Sequence, residues 1–118
     1  MIRFALFALL ALLIAAPAQA DQMAFFMKNE APLGVVVELS STDRNTVWPG
    51  DDQVYFLEKG EKKSVPIKCQ AGENICYGAW LNGDAGTFWG VGPERDQLCE
   101  DCCTICVEKA TTTIVIGR

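Results

Sequence analysis

The sequence predicts an all-β fold, a small antiparallel β-sandwich stapled by disulfide bonds. Short apolar runs alternate with Gly, Pro and Asn turn signals after residue 20, a pattern typical of small sandwiches and barrels. The chain also contains six cysteines, and an even number in an exported domain is typical of a disulfide framework. Its 118 residues suit one domain. A small β-barrel with a short Cys-rich helix is the alternative.

The first twenty residues predict a secretory signal peptide. Arg3 is their only charge, an apolar run covers 4–16, and the sequence Ala-Gln-Ala follows at 18–20. A membrane-spanning helix needs about twenty apolar residues, so a cleaved leader fits this shorter run better. We therefore expect 1–20 to be a signal peptide and 21–118 to form a single β-domain. That domain would be secreted or periplasmic, with no stable membrane insertion after cleavage.

Seven stretches predict individual strands, because they are rich in β-branched and aromatic residues between turn signals. They cover 23–28, 34–40, 53–57, 63–69, 75–81, 87–91 and 111–116. In the second stretch Val35, Val37 and Leu39 alternate with more polar residues, so they should face the core. Pro66 cannot donate a hydrogen bond to a neighbouring strand, which places the fourth stretch at a sheet edge.

The Asn-Gly sequence at 82–83 predicts a hairpin with a primed turn. Trp80 and Trp89 flank this turn and could pair across the two strands. The following region, 92–107, has two interpretations. Its four cysteines have the i, i+3, i+4, i+7 spacing of one helix face, whereas its last residues are β-branched. We expect a loop or one helical turn, then a strand in a final hairpin with 111–116, and keep a continuous helix as the alternative.

All the cysteines are expected in disulfide bonds, because export places them in an oxidising compartment. Six cysteines allow 15 pairings. A bond between the adjacent Cys102 and Cys103 would be strained, and we expect at least one bond from the 99–106 cluster back to Cys69 or Cys76. The predicted disulfide residues are Cys69, Cys76, Cys99, Cys102, Cys103 and Cys106.

The cysteine cluster has two functional alternatives, a metal site and a redox pair. Zinc ribbons bring two Cys-x-x-Cys turns together from separate places, whereas the two turns at 99–106 abut with no spacer. Thioredoxin-like redox pairs lie within an alternating β/α pattern, which this sequence lacks. We therefore expect no metal and no other cofactor, with a small Cys-cluster redox or metal-binding protein as an alternative function.

Composition excludes several classes of function. The chain has no histidine, which removes Ser-His-Asp and Cys-His catalysis. Without the leader its charge is 9 − 15 = −6, and such an acidic chain is poorly suited to nucleic acid or anionic membranes. Phosphate-binding loops, nucleophile elbows and ordered calcium loops are missing. We expect a protein that is not an enzyme.

The remaining sequence signals favour an exported, non-catalytic β-domain with a binding or envelope role. Most of the large aromatics are expected to pack in the core, because such residues are usually largely buried. Trp48 precedes a Pro-Gly turn and is the aromatic most expected to be partly exposed. We predict that Trp48, Asp51 and Asp52 contact a ligand, which would be an unknown protein or a glycan. An inhibitor of a secreted hydrolase that presents the 48–52 loop is the alternative.

Two short sequences resemble a known family. Phe-Phe-Met-Lys-Asn at 25–29 and Thr-Val-Trp-Pro-Gly at 46–50 resemble the opening of thaumatin-like proteins, which are secreted, disulfide-rich β-sandwiches. This chain lacks the cysteine expected after the asparagine, has a longer gap between the two sequences and is much shorter. The resemblance implies a secreted sandwich, and we carry over no activity or site residue from it.

Overall fold

The computed structural model describes residues 21–117 as nine β-strands in two packed sheets. No helix occurs within this range. The two packed sheets and three disulfide bonds confirm the predicted disulfide-stapled sandwich. The leader assigned to 1–20 lies outside the described residues. The strands are β1 (Asp21–Asn29), β2 (Val35–Ser41), β3 (Val47–Trp48), β4 (Tyr55–Leu57), β5 (Lys62–Cys69), β6 (Asn74–Leu81), β7 (Asp84–Gly90), β8 (Cys103–Ile105) and β9 (Thr111–Ile116).

The first sheet has three strands in the order β5-β1-β9. β1 pairs with β5 antiparallel, with Phe25 opposite Val65, and with β9 parallel, with Phe25 opposite Thr112. The parallel pair is possible because the whole domain separates β1 from β9 in sequence, and parallel pairing needs a long connection. β5 lies at the edge, as Pro66 predicted.

The second sheet has six strands, with β2 and β6 as an antiparallel pair at its centre. The free side of β2 pairs with β3 at one end and β4 at the other. The free side of β6 is likewise divided between β7 and β8. The sheet is therefore four strands wide, and residues from four different strands can lie side by side across its outer face.

The core lies between the two sheets and contains the apolar residues at alternate positions of the strands. Val35, Val37 and Leu39 are fully buried and pack in the same cluster as the β1 residues Phe25 and Met27. This confirms the inward face predicted from the period-two pattern. The main core between the sheets holds them together as a support for their outer surfaces, and a second, smaller cluster of Cys76, Val91 and Cys102 lies apart from it.

A buried asparagine fixes the turns at the end of this core. Asn29 Nδ2 donates to the carbonyl oxygens of Leu33 at 2.9 Å, Glu58 at 3.0 Å and Leu57 at 3.2 Å, while its Oδ1 accepts from the amide of Ala31 at 2.9 Å. A buried amide with all its polar atoms satisfied stabilises a specific geometry. The segments before β2 and after β4 are thereby held together.

The β6–β7 hairpin turns at 82–83, as predicted. Its glycine has a φ of 87°, and the pairing register shifts after Trp80, so the returning strand begins with an irregularity. The predicted pairing of Trp80 with Trp89 is wrong. Trp80 lies opposite Phe88 and Trp89 opposite Ala79, and because successive residues alternate in direction, the two indoles lie on opposite faces of the sheet.

The predicted final hairpin is also wrong. β8 pairs with β6 in the second sheet, with Cys103 opposite Cys76, whereas β9 pairs with β1 in the first sheet. The chain between β8 and β9 crosses from one sheet to the other. β-branched residues indicated a strand at this point, but composition carries no information on the partner. No helix forms over 92–107; the chain runs as turns and loop up to residue 102 and then forms β8, so the predicted loop followed by a strand is confirmed.

Candidate functional site

Three disulfide bonds join the six cysteines. Two of them run from the 99–106 cluster back to Cys69 and Cys76, which confirms the predicted long-range bonding. Three such bonds in a domain this small are typical of an oxidising extracellular or periplasmic environment. The pairs are Cys69–Cys106, Cys76–Cys103 and Cys99–Cys102.

The predicted ligand-binding residues divide into two groups. Trp48 is half-buried: its Nε1 donates to the carbonyl oxygen of Lys68 at 3.0 Å, and the guanidinium of Arg44 lies 5.9 Å from its ring centroid. Asp51 and Asp52 are exposed at the centre of a tight turn, with φ of 55° and 58°. The indole of Trp48 is therefore packed against the domain, whereas Asp51 and Asp52 are exposed to solvent. The role of all three residues in ligand binding stays a prediction.

An ion pair between the partly exposed Arg44 and the buried Glu73, which the sequence analysis missed, lies beside Trp48. Glu73 is 4% exposed. Its carboxylate accepts two hydrogen bonds from Arg44, one from Ser41 Oγ at 2.6 Å and one from the amide of Gln70 at 2.9 Å. The bonds from Arg44 lower the pKa of Glu73 to about 2, although burial opposes this. With every oxygen satisfied, this group links two loops and is structural.

Of the other tryptophans and tyrosines in residues 21–117, three pack inward, as expected. Tyr55, Tyr77 and Trp89 are half-buried against the main core. Burial raises the pKa of both tyrosine hydroxyls. Trp80 is different, because its position on β6 faces away from the core, toward the outer surface of the second sheet.

An apolar row crosses this outer face. Val36 lies opposite both Phe56 on β4 and Trp80 on β6, and Trp80 lies opposite Phe88 on β7. Directly opposed residues point to the same side of a sheet, so the four side chains form one line across four strands. At about 4.8 Å per strand, this line is roughly 14 Å long. We call it the aromatic row.

The aromatic row is displayed to solvent at both ends. Phe56 and Phe88 are each 40% exposed, while Val36 between them is 7% exposed. The Phe56 ring packs over Gly34, where a side chain would meet the ring at 3.0 Å. Exposed large aromatics that the fold holds in fixed positions are typical of recognition surfaces.

The segment 91–97 borders the aromatic row and folds over the sheet. The backbone of Gly92 rests on Gly78, where any side chain would collide with the Gly92 carbonyl oxygen. Arg95 reaches back to Glu38, with its Nη1 3.4 Å from Oε1. Burial raises the pKa of Glu38, and the charge of Arg95 counteracts this rise. The segment is therefore fixed to the sheet by close packing and by an ion pair.

A groove of about 260 Å³ lies between this segment and the end of the aromatic row. Phe88 forms part of its wall, and Glu94 and Asp96 supply carboxylates. Because Arg95, the only base of 91–97, pairs with Glu38, the groove combines an aromatic ring with net negative charge. Its lining residues are Ala85, Phe88, Pro93, Glu94, Asp96 and Gln97.

Sequence reasoning missed the aromatic row for an identifiable reason. It assigned Phe56 and Phe88 to the correct strands, but the row depends on register. The irregularity after Trp80 shifts β7 by several residues, so counting back from the Asn-Gly turn does not place Phe88 opposite Trp80. Alternation within 34–40 was the one available signal that Val36 faces away from the core.

Comparisons with known proteins identify no relative. Neither a protein-family model, nor a curated protein, nor a solved structure matches this chain. The sandwich that the thaumatin-like resemblance implied is present, but these comparisons give no support for membership in that family. The part of the chain from 21 to 117 contains no helix of the length and apolarity that crossing a membrane requires.

Proposed function

We propose that this protein is an exported, non-catalytic binding domain that holds a basic segment of a partner protein on the aromatic row and in the adjoining groove. The aromatic row, which lies across four strands and is exposed at both ends, is the observation that carries this proposal. The leader-like segment at 1–20 and the three disulfide bonds support export to the periplasm or the medium.

The chemistry of the groove favours a basic partner. A Lys or Arg side chain can lie on the face of an aromatic ring, where cation–π attraction contributes about 0.5–1 kcal/mol at exposed sites. Glu94 and Asp96 beside Phe88 add charge complementarity, which raises association rates and disfavours acidic partners. The net charge of −5 for the whole chain also favours a basic partner over an acidic one.

The rigidity of the surface favours affinity. Residues that are already ordered before binding lose little conformational entropy on association. The aromatic row lies on strands whose other faces form the core, and disulfide bonds anchor the neighbouring chain. A glycan could also stack on the exposed rings and donate hydroxyl hydrogen bonds to the carboxylates, but without positive charge it would gain no charge complementarity.

The test is binding of defined peptides to the oxidised exported protein. A peptide with alternating Lys and Leu should bind, and the same peptide with Glu in place of Lys should not. Phe88→Ala should weaken binding by about tenfold, corresponding to 1.4 kcal/mol. Leu98→Ala is the matched control, because it removes a fully exposed apolar side chain outside the aromatic row, and it should leave affinity unchanged.

Two further measurements are the dependence of peptide binding on ionic strength and the binding of neutral oligosaccharides. Raising the ionic strength from 0.05 to 0.5 M should weaken the interaction, since the exposed charges become screened. Equal losses in Phe88→Ala and Leu98→Ala would refute the assignment of the site. Binding of neutral oligosaccharides without binding of the basic peptide would refute the choice of partner.

A further inference from the structure

Two of the three disulfide bonds lie side by side. Cys102 Sγ, from the Cys99–Cys102 bond, lies 3.7 Å from Cys103 Sγ, which belongs to the Cys76–Cys103 bond. The sulfurs of Cys76, Cys102 and Cys103 all lie within 4.8 Å of one another. Exchange between disulfides proceeds by attack of a thiolate on a neighbouring disulfide sulfur. A Cys102 thiolate, once the Cys99–Cys102 bond is reduced, would therefore have both sulfurs of the Cys76–Cys103 bond within 4.8 Å.

The three bonds differ in their access to solvent. Cys69 and Cys106 are buried in the main core, at 0% and 2% exposure. Cys99 is half-buried, and Cys103 is exposed. A soluble thiol can therefore reach the Cys99–Cys102 and Cys76–Cys103 bonds but not the buried Cys69–Cys106 bond. Access is one of the factors that decide which disulfide is reduced first, and it selects this pair of bonds. Within the pair, the Cys99–Cys102 bond closes the shorter loop, with a sequence separation of 3 against 27 for Cys76–Cys103, so it stabilises the fold less and opens first.

We propose that these neighbouring bonds form an internal thiol–disulfide exchange site, which an external dithiol opens and which delivers a free thiol to the surface at Cys103. In the first step the dithiol attacks Cys99 Sγ and is oxidised to its own disulfide. The Cys99–Cys102 bond takes up two electrons and two protons, and both cysteines become thiols.

The second step is an isomerisation without net oxidation. The Cys102 thiolate attacks Cys76 Sγ, so that a Cys76–Cys102 bond forms and the Cys76–Cys103 bond breaks. The electron pair leaves on Cys103 Sγ, which takes a proton from solvent. The product has one disulfide and two thiols in this region, the same count as before the step.

Two features direct the attack to Cys76. Attack on Cys103 would join adjacent residues, and such a bond is strained because disulfides normally require more than about 4.4 Å between alpha carbons. The amide of Tyr77 donates to the carbonyl oxygen of Cys102 at 2.8 Å, which holds Cys102 beside β6, next to Cys76. Because Cys103 is exposed, water can solvate it as the leaving thiolate.

Partial reduction of the oxidised protein tests this site. After treatment with one equivalent of dithiothreitol and trapping with iodoacetamide, peptide mass spectrometry should find the label on Cys99 and Cys103 and a Cys76–Cys102 bond. Label confined to Cys99 and Cys102 would overturn the exchange step. Label on Cys76 and Cys103, or on no cysteine, would overturn the first opening at Cys99.

Two matched variants test the exchange without a reductant. Cys99→Ser leaves Cys102 as a thiol beside the intact bond, and most of the label should move to Cys103. Cys102→Ser leaves Cys99, which is outside the three-sulfur group, and the label should stay on Cys99. Label only on Cys102 in the first variant, or on Cys103 in the second, would contradict the proposal. Should either variant fail to fold, the wild-type mapping decides.

Discussion

Replacing Glu73 with glutamine tests how much the charge of the Arg44–Glu73 ion pair contributes to stability. Glutamine has nearly the same shape, and its Oε1 can still accept a hydrogen bond from Ser41 or Gln70. It cannot, however, attract the guanidinium of Arg44. Glu73→Gln should therefore destabilise the protein at neutral pH while leaving the two linked loops in place.

The magnitude follows from the pKa of Glu73. A fall from 4.5 to about 2 corresponds to roughly 3 kcal/mol of stabilisation at pH 7, at about 1.4 kcal/mol per pH unit. The Arg44 side chain is 36% exposed, so solvent screens its charge. We expect Glu73→Gln to lower the free energy of unfolding by about 2 kcal/mol at pH 7.

The pH dependence has a definite sign. The folded-state pKa lies below the unfolded-state value, so the charged carboxylate stabilises the fold fully above about pH 5 and loses this effect as the pH falls toward 2. The difference in stability between wild type and Glu73→Gln should shrink by more than half between pH 7 and pH 2.5. Urea unfolding with intact disulfides, followed by tryptophan fluorescence, measures this difference.

An exposed carboxylate serves as the control. Glu108→Gln should change stability by less than about 0.5 kcal/mol at either pH, as surface substitutions usually do. A stability difference for Glu73→Gln that stays constant from pH 7 to pH 2.5 would refute the reasoning, because the loss would then come from packing and not from charge.

Three further substitutions test other parts of the structure. Double replacement of Cys69 and Cys106 by alanine should lower the free energy of unfolding by about 4 kcal/mol, because this disulfide closes a long loop, with a sequence separation of 37. A decrease of less than about 1 kcal/mol in a urea titration would contradict this. Glu38→Gln should leave stability unchanged or raise it at pH 7, because burial disfavours the charged carboxylate, and a clear loss would be inconsistent. Gly78→Ala should lower the free energy of unfolding by about 1–3 kcal/mol, because the new methyl group collides with the Gly92 backbone. It should also speed amide hydrogen exchange over 91–97, and unchanged exchange rates would argue against that contact.

Features that depend on neighbouring residues could be predicted from the sequence. The alternation of Val35, Val37 and Leu39 predicted both a strand and its buried side, and Pro66 predicted an edge. The cysteine spacing argued against a bond between adjacent residues and in favour of long-range ones. Each of these predictions uses only local backbone geometry or the reach of a single bond.

Features that depend on pairing between distant strands came only from the structure. The partner of β8 was predicted wrongly. The aromatic row could not be assembled, because Phe56, Trp80 and Phe88 meet through three separate registers. The ion pair of Glu73 likewise needs Arg44, which is 29 residues away.

The sequence by itself determined that this chain forms strands, which of their faces are apolar and that its sulfurs bond to one another. The tertiary structure alone decided which strands are neighbours, which bonds lie side by side and which aromatics reach the surface together. The physical reason is that side-chain direction repeats every two residues along any strand. Strand register, in contrast, is set by packing and turn geometry summed over the whole sheet.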